Sequence, residues 1–369
     1  MHRVLIIIIV IILSHSLINP LVITYSALSN SFNLIVTFNS VRQKYFEINI
    51  NAPFNWAIEK YYDKSGAIFY ENQTVYFDGF GIIQMEKLSD LLIIEEANIK
   101  IEKFYFYYSN LFLHFNSISF AHKFNDISHS LVHTLYNNKQ IKSRNFAIFP
   151  PDNSLNGEFY IGETTFNLHS EYKYKTSCKA IDDINEWGCK MNEFIIGNKH
   201  YNATPSSYFK TNERRILVPK YFMEILKEIF FNKYIESRDC SVDIRFNYHS
   251  YICSKQLLNE FPNITFVMEN SHLTFEPNEM VFATSGRVKF LIEENDFEDT
   301  WVFGIAFFKK YPVYFSYDDN IIAFYSKTKF PYSPESSNTS INIYIFIAII
   351  IIQIIMITVI LFTKWKLKN

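Results

Sequence analysis

The sequence predicts a protein of the all-β class, and three observations support this prediction. Apolar and polar residues alternate over much of the chain, as they do in strands with one buried face. Of the 369 residues, 49% are hydrophobic and 18% are aromatic, which is enough to fill the core of one large domain or of two packed lobes. Only 9 residues are glycine, about a third of the usual share, which excludes Gly-rich phosphate loops and dinucleotide motifs. We therefore predict no cofactor.

The charge balance argues against a nucleic-acid partner. The formal net charge is −2, and the sequence has no long run of lysine or arginine. Binding to nucleic acid depends on basic side chains that neutralise phosphates. We therefore predict that the chain does not bind nucleic acid.

The N-terminal segment predicts entry into the secretory pathway. Residues 2–13 give a short positive start and then an apolar run that is too short to cross a bilayer core of about 30 Å. Small residues near Ser26 favour cleavage there, so we predict a signal peptide over residues 1–26. An uncleaved anchor is the alternative, because residues 17–23 are also largely apolar.

The C-terminal segment predicts a transmembrane helix. Residues 343–363 contain no charge, and at about 1.5 Å per residue they match a hydrocarbon thickness of about 30 Å. The lysines of residues 364–369 place this tail in the cytosol by the positive-inside rule. The stretch 328–342 is predicted to be a stalk. These features predict a single-pass type I membrane protein with a lumenal or extracellular ectodomain.

Cysteines and sequons agree with this placement. Four cysteines allow three pairings, and we favour Cys178–Cys189 with Cys240–Cys253 because each pair closes a short loop. We predict no metal, because the spacing lacks any C-x-x-C and an oxidising lumen favours disulfides over zinc. The candidate glycosylation sites are Asn72, Asn202, Asn263 and Asn338.

Two helical patches interrupt the strand pattern. In each patch the apolar residues recur at the spacing of one helix face, and the second patch follows Pro219. The patches are Ile127, Leu131, Val132 and Leu135, and then Phe222, Ile225, Leu226 and Ile229. The segment ITFVME at 264–269, which continues through a turn into HLTFEP, predicts a hairpin.

Motifs at the junction of the two halves of the ectodomain, and in its second half, resemble those of the pepsin-like aspartic proteases. The matching segments are GEFYIGE at 157–163, Trp187, EFIIG at 193–197, FPNITF at 261–266 and WVFGIAFFKKYPVYFSYDDNIIAFY at 301–325. Cys240 and Cys253 fall where that family has its C-lobe disulfide. The resemblance implies a bilobal pepsin-like fold with lobes over 27–165 and 166–327, and a peptide or protein ligand in the cleft between them.

The first half matches the family more weakly. VYFDGFG at 75–81 resembles the flap hairpin and retains Tyr76 and Gly79. FNSISFAHKF at 115–124 is similar to the family's "f-D-G-i-l-G-l-g" segment, although its Asp-Gly is replaced by Asn-Ser. The resemblance extends in all from about residue 35 to residue 326.

Neither catalytic turn has the family's D-[ST]-G-[ST] pattern. The first turn falls in QKYFEININAPFNWAI at 43–58, where the aspartate position is held by Ile50 or Asn51, depending on a one-residue gap. Glu47 is the only carboxylate in this window, and it precedes the turn. The chain contains no D-[ST]-G anywhere.

The second turn lies nine residues before Pro219, where Lys210 holds the aspartate position and Thr211 keeps the next one. Asn212 replaces the glycine, so the turn should be strained or remodelled. A protonated lysine cannot accept a proton from water, and asparagine or isoleucine has no titrating carboxyl group. The shared-water mechanism needs two coupled carboxylates and should therefore be absent.

These substitutions predict a catalytically inactive homologue, or pseudoprotease, that binds a peptide or protein ligand. The alternatives are an active aspartic endopeptidase that uses displaced carboxylates and a structural surface glycoprotein. Tyr76 is expected either to line the cleft as the flap tyrosine or simply to pack. Lys210 is expected either to pair with a ligand carboxylate or to extend into solvent.

Other polar groups have simpler interpretations. His129 and His133 are four residues apart but lack the glutamate of H-E-x-x-H, so we predict a helix flank and not a metal site. Adjacent acidic residues on a strand point to opposite faces, so we predict that the acidic doublets lie in solvated loops or hairpins. The doublets are Glu95-Glu96, Asp182-Asp183, Glu293-Glu294 and Asp318-Asp319.

Overall fold

The structure is a computed structural model of the chain. It describes residues 21–26, 33–38, 41–49, 56–58, 67–77, 81–94, 99–109, 116–120, 130–149, 156–162, 172–181, 186–245, 248–269, 271–283, 286–295 and 299–327. Within these ranges strands dominate, as the alternating pattern predicts.

The first half of the described chain forms ten strands. They are β1 Leu21–Ser26, β2 Asn33–Phe38, β3 Val41–Asn49, β4 Trp56–Ile58, β5 Ile68–Phe77, β6 Gly81–Ile94, β7 Ile99–Ser109, β8 Asn116–Ser119, β9 Asn145–Phe149 and β10 Asn156–Ile161. The described part of the second half forms fifteen more. They are β11 Tyr172–Lys179, β12 Gly188–Ile196, β13 Lys199–Asn202, β14 Ser206–Phe209, β15 Ile216–Val218, β16 Cys240–Arg245, β17 Tyr248–Ser254, β18 Ile264–Met268, β19 Ser271–Phe275, β20 Val281–Ala283, β21 Arg287–Phe290, β22 Ile292–Glu294, β23 Trp301–Phe303, β24 Val313–Ser316 and β25 Ile321–Lys327.

One extended sheet connects the two halves of the chain. Its described strands lie in the order β11-β25-β24-β9-β10-β1-β2-β3-β8-β4-β7-β6-β5. The hairpin β24–β25 pairs through β24 with β9, and Val313 lies opposite Ile148. The second half also forms the sheets β19-β18-β12-β14-β23-β15-β22, with β13 on β12, and β16-β17-β21-β20. Backbone hydrogen bonds therefore join the two lobes.

An aromatic core lies behind the shared sheet. All five residues of β9 are buried, which fits its continuous apolar sequence NFAIF. Within it, the ring of Phe146 stacks on Phe159 and Phe315 with centroid distances of 5.5 and 4.7 Å, and it contacts Trp187 edge-on at 5.8 Å. Burial of each ring of this kind contributes roughly 1.5–3 kcal/mol to the free energy of folding.

Helices form at both predicted patches, but the second differs from the prediction. The first is α1, Leu131–Asn137, which buries Leu131, Val132 and Leu135 as predicted, whereas Ile127 lies outside the described residues. The second runs as α2 Lys220–Leu226, a π-helical turn Lys227–Phe231 and α3 Asn232–Glu236. The wider π turn rotates the buried face, so that Phe230 and Phe231 are buried and Ile229 is exposed. The last helix is α4, Ile305–Phe308, and single 3-10 turns occupy Lys255–Asn259 and Pro277–Met280.

The predicted hairpin is confirmed. β18 pairs with β19 so that Met268 lies opposite Ser271, and Glu269 adopts a φ of 50° in the turn. Asparagine and glycine tolerate this backbone region best, so a glutamate here makes the turn locally costly. The hairpin belongs to the C-terminal lobe, where β18 also pairs with β12.

Part of the predicted signal peptide forms a strand, whereas the predicted transmembrane helix lies outside the described residues. Leu21–Ser26 form β1, which pairs with β10 over its full length from Leu21↔Ile161 to Ser26↔Asn156. A leader that extends to Ser26 would remove this strand from the sheet. No helix in the described ranges is long and apolar enough to span a membrane, and residues 328–369 lie outside those ranges.

Candidate active site

Two strand-crossing motifs with the same topology lie in the two lobes. In the N-terminal motif β3 is parallel to β8, β8 is antiparallel to β4, and β4 is parallel to β7. In the C-terminal motif β14 is parallel to β23, β23 is antiparallel to β15, and β15 is parallel to β22. The loops that connect β3 to β4 and β14 to β15 are thus related positions.

The register of the parallel strands aligns the two loops. The last residue of β3, Asn49, lies opposite Ser119, the last residue of β8. The last residue of β14, Phe209, lies opposite Phe303, the last residue of β23. The connecting segments are residues 50–55 and 210–215, of equal length. Residues 50–55, with Ile50 and Asn51, lie outside the described residues.

The 210–215 loop is held by backbone hydrogen bonds. The N–H of Lys210 donates to the carbonyl of Phe303 at 3.0 Å. The carbonyls of residues 213–215 accept from the N–H groups of residues 304–306, at the start of α4, at 2.7 to 3.2 Å. These contacts satisfy donors that a helix start leaves without partners.

Gly304 permits this close approach. A Cβ built on Gly304 would lie 2.3 Å from the carbonyl oxygen of Glu213 and 2.4 Å from that of Arg215. Both contacts are with backbone atoms, which cannot move aside as a flexible side chain would. The glycine of the closing motif is therefore required by packing.

The turn at 210–215 contains no left-handed residue. Among the described residues, positive φ outside glycine occurs at Lys139, Arg238, Glu269 and Asn320, so no residue of the 210–215 loop is left-handed. Asn212 is exposed and Thr211 is fully buried. Asn212 therefore occupies the position expected for the family's glycine without a left-handed backbone.

Lys210 forms an ion pair with Glu186, a residue that the sequence analysis does not single out. Its Nζ lies 3.4 Å from Oε1 of Glu186, and both side chains are about one third exposed, at 33% and 32%. Glu186 directly precedes Trp187, which is one of the residues that match the family. The position of Trp187 therefore brings the Glu186 carboxylate close to the 210–215 loop. Lys210 thus neither extends freely into solvent nor is buried.

Arg215 connects the loop to the interior of the C-terminal lobe. Its guanidinium contacts Glu213 at 2.7 Å and Glu293 at 2.5 Å. Burial alone would lower the pKa of Arg215, but hydrogen bonds and charge interactions with both glutamates outweigh burial and raise that pKa. Ser250 donates a further hydrogen bond to Glu293. A half-buried arginine with two carboxylates therefore fixes the end of the loop.

The prediction of a solvated position for Glu293-Glu294 is wrong. Glu293 is 1% exposed and Glu294 is 7% exposed, and both lie in β22. Their charges are tolerated because Arg215 pairs with Glu293, and Lys227 lies 3.1 Å from Glu294. Asp318-Asp319 does lie in an exposed turn, as predicted. Glu95-Glu96 and Asp182-Asp183 lie outside the described residues.

Phe120 follows β8 just as Gly304 follows β23. Its carbonyl accepts hydrogen bonds from the indole N–H of Trp187 at 2.8 Å and from the hydroxyl of Tyr317 at 2.7 Å. Its ring is fully buried and contacts Phe146 and Phe159 edge-on at 5.3 and 4.8 Å. Residues of the C-terminal lobe thus anchor the N-terminal motif at this point.

His133 is a core histidine. Its ring packs edge-on against Tyr317 at 4.8 Å, and it is 6% exposed. Burial, and then the charge of Arg144, lower the pKa of His133 to about 4, whereas the charge of Asp318 acts in the opposite direction. His129 lies outside the described residues. Within the described ranges, no group of three His, Cys, Asp or Glu side chains is placed to hold a metal ion.

The remaining site predictions concern the flap, the disulfides and the sequons. β5 and β6 form the expected hairpin, with Tyr76 opposite Ile82, but Gly79 and the side chain of Tyr76 are outside the described part. The disulfides Cys178–Cys189 and Cys240–Cys253 are present as predicted. Three of the sequon asparagines are exposed, and the fourth lies outside the described ranges: Asn72, Asn202, Asn263 and Asn338.

The sequence patterns indicated only part of this site. Glu186 and Arg215 were not predicted as site residues, Phe120 appeared only within the 115–124 segment, and Glu293 appeared only within a doublet predicted to be solvated. The Arg-Arg pair at 214–215 is the one available signal for a buried ion-pair network.

Comparisons with known proteins agree with this geometry. The family described as eukaryotic aspartyl protease matches residues 95–327, more than half of the chain. The fold is similar to that of the aspartic proteinase from Irpex lacteus, with a TM-score of 0.65, 12% sequence identity, and coverage of 85% of this chain and 99% of that one. A comparison with curated proteins found no match. The matching motifs, the paired crossing motifs and the family match lead to one conclusion: the chain belongs to the eukaryotic aspartyl protease family.

Proposed function

We propose that the protein is a catalytically inactive member of its family that binds a peptide or protein ligand in the cleft between its lobes. One observation carries the proposal. The residue that follows β14 at the crossing point is Lys210, whose ammonium group pairs with Glu186. Its ammonium group can donate hydrogen bonds but cannot act as a base when protonated.

The register favours one residue as the equivalent of Lys210 in the N-terminal motif. Phe209 and Asn49 occupy the same place at the ends of their strands. The residues that follow them are Lys210 and Ile50, so we assign the first aspartate position to Ile50 and not to Asn51. Isoleucine has no titratable group and lysine has no carboxylate, so neither position supplies a carboxylate to share a water.

The chain ends are part of the same proposal. The two disulfides are typical of a secretory-pathway protein. We infer that residues 343–363 anchor the protein as a type I membrane protein, with residues 328–342 as a stalk and 364–369 in the cytosol. Because β1 contributes to the sheet, we place the end of the leader before Leu21. N-terminal sequencing of the mature protein should begin at or before Leu21, and a start after Ser26 would contradict this boundary.

A cleavage and binding assay tests the central claim. Purified full-length protein is incubated with a broad peptide library at about pH 3 to 6, the range in which a coupled carboxylate pair shares a proton. We expect peptides to bind and no pepstatin-sensitive cleavage to occur. Pepstatin-sensitive cleavage that is lost in Glu47→Gln or Glu186→Gln would instead establish an enzyme with displaced carboxylates.

A variant that restores the family's catalytic aspartates gives a positive control. The variant Ile50→Asp/Lys210→Asp/Asn212→Gly supplies both carboxylates and one turn glycine. We expect measurable pepstatin-sensitive cleavage from this variant and none from Lys210→Asp alone. Cleavage by the single variant would show that a first carboxylate is already in place.

A further inference from the structure

Lys210 combines a fixed backbone with an accessible charge. Its N–H is hydrogen-bonded to Phe303, and the next residue, Thr211, is fully buried. The side chain itself is 33% exposed. The backbone of Lys210 is therefore fixed, while its ammonium group is accessible to a ligand.

The contact between Lys210 and Glu186 is loose. The separation of 3.4 Å is longer than the roughly 2.7–2.9 Å of a charge-assisted hydrogen bond. Glu186 is also about one third exposed, and water screens such pairs so that they contribute little to stability. The carboxylate of a ligand can replace that of Glu186 at small cost.

The 210–215 loop carries more positive than negative charge, because it contains Lys210, Arg214 and Arg215 against the single carboxylate of Glu213. Glu213 forms an ion pair with Arg215, and the ion pair of Lys210 is with Glu186. The guanidinium of Arg214 lies over the ring of Phe282 at 5.3 Å, and burial together with the charge of Arg214 lowers the pKa of Lys309. The excess of cations within the loop sequence favours an anionic ligand at Lys210.

We propose that the 210–215 loop selects ligands that present a carboxylate, which displaces Glu186 from Lys210. The carboxylate belongs to an acidic side chain or to the C-terminus of a peptide. This inference rests on the proposed function, because it requires a peptide ligand in the cleft. Glu186 is then an internal competitor that keeps Lys210 neutralised while the site is empty.

Fluorescence anisotropy with defined peptides tests the selection. The probes are fluorescein-labelled, C-terminally amidated peptides that differ only at one central Asp, Asn or Lys, and a fourth that has Asn and a free C-terminal carboxylate. For the purified full-length protein we expect a carboxylate peptide to bind about fivefold more tightly than the Asn amide, and the Lys peptide to bind most weakly. The Asp and free-carboxylate peptides distinguish the two sources of the charge.

Variants test whether the preference for carboxylate peptides depends on the Lys210–Glu186 pair. Glu186→Gln should tighten binding of the carboxylate peptides by roughly three- to tenfold, because the competitor is removed. Lys210→Gln should abolish the preference and Lys210→Arg should keep it, which separates loss of charge from misfolding. Lys190→Gln, at an exposed lysine of β12, is the matched control and should leave the preference unchanged.

The outcomes separate the two proposals. Peptides that bind with no charge preference, or a preference that survives Lys210→Gln, would overturn the carboxylate selection and leave the proposed function standing. Weaker binding of carboxylate peptides to Glu186→Gln would also overturn it. If no peptide binds at all, both proposals fail.

Discussion

The two crossing motifs have the same strand pairing but are stabilised by different contacts. In the C-terminal motif, Gly304 lets the backbone of residues 213–215 approach the start of α4, and buried charges hold Arg215 in place. In the N-terminal motif the corresponding residue is Phe120, whose ring is buried and whose carbonyl is held by Trp187 and Tyr317. The comparison shows that strand topology persists when the small residue at a crossing is replaced.

The two crossing motifs also differ in the kind of contact that stabilises them, polar in one and largely aromatic in the other. The C-terminal motif depends on backbone contact and ion pairs within its own lobe. The N-terminal motif depends on rings and hydrogen bonds from the other lobe. Perturbing each set should therefore give distinct energetic signatures.

The largest effect is expected from Arg215→Met. This change leaves the buried Glu293 without its cation, so the free energy of unfolding should fall by roughly 3–5 kcal/mol in urea denaturation. The double variant Arg215→Met/Glu293→Leu should recover much of this loss, because it removes the unpaired charge as well. Lys100→Gln breaks an exposed pair and should change stability by less than about 0.5 kcal/mol. A small loss in Arg215→Met would show that the ion pairs do not hold the loop.

Gly304→Ala should be almost as damaging. The added Cβ would collide with two backbone carbonyls, and forced overpacking of this kind costs about 3 kcal/mol. Gly286→Ala is the control, since its φ of +77° is unfavourable but the space around it is open, and it should cost about 1 kcal/mol. Equal losses in thermal or urea unfolding would contradict a steric role for Gly304.

Acid should weaken the N-terminal anchoring through His133. The folded pKa of about 4 lies below the unfolded value of 6.5, so the unfolded chain binds more protons between these values. The stability that the neutral imidazole provides is present above pH 6.5 and is lost as the pH falls. Unfolding should therefore become easier by about 2 kcal/mol between pH 6.5 and pH 5.

His133→Leu should remove this part of the pH dependence. His200→Gln should keep it, because His200 is exposed and pairs with Glu193 on the surface. An unchanged pH profile in His133→Leu would assign the acid sensitivity to other groups.

The smallest effect is expected from Tyr317→Phe. The change removes the hydrogen bond to the carbonyl of Phe120 and a long contact of 3.5 Å with the hydroxyl of Ser130, and it leaves the hydrogen bond from Trp187, so it should cost about 1 kcal/mol. Tyr208→Phe is the matched control, since the hydroxyl of Tyr208 has no hydrogen bond within the described ranges. A neutral Tyr317→Phe would show that Trp187 alone holds Phe120.

Motifs with local spacing predicted most of the described fold. The closing segment at 301–325 carried the best family resemblance, and it forms β23, α4 and the hairpin β24–β25. The strand pattern that starts at 264 predicted the hairpin β18–β19. The π turn at Lys227–Phe231 was not predictable, because apolar residues on both sides allow either helical phase. Sequence spacing alone therefore identified helices but not their full buried face.

The site was less predictable than the fold. Lys210 follows from a motif that can be counted from Pro219. Its partner Glu186, however, lies in a different motif, and Glu293 is buried only because Arg215 reaches it from 78 residues away in sequence. Such pairings depend on tertiary contacts that no local pattern contains.

The disulfide Cys178–Cys189 has a consequence for maturation. Its loop contains both Glu186, which neutralises Lys210, and Trp187, which holds Phe120 in the other lobe. A single oxidation step therefore restrains the ligand-facing carboxylate and the interlobe anchor together. In an oxidising compartment, both restraints would therefore form in the same step.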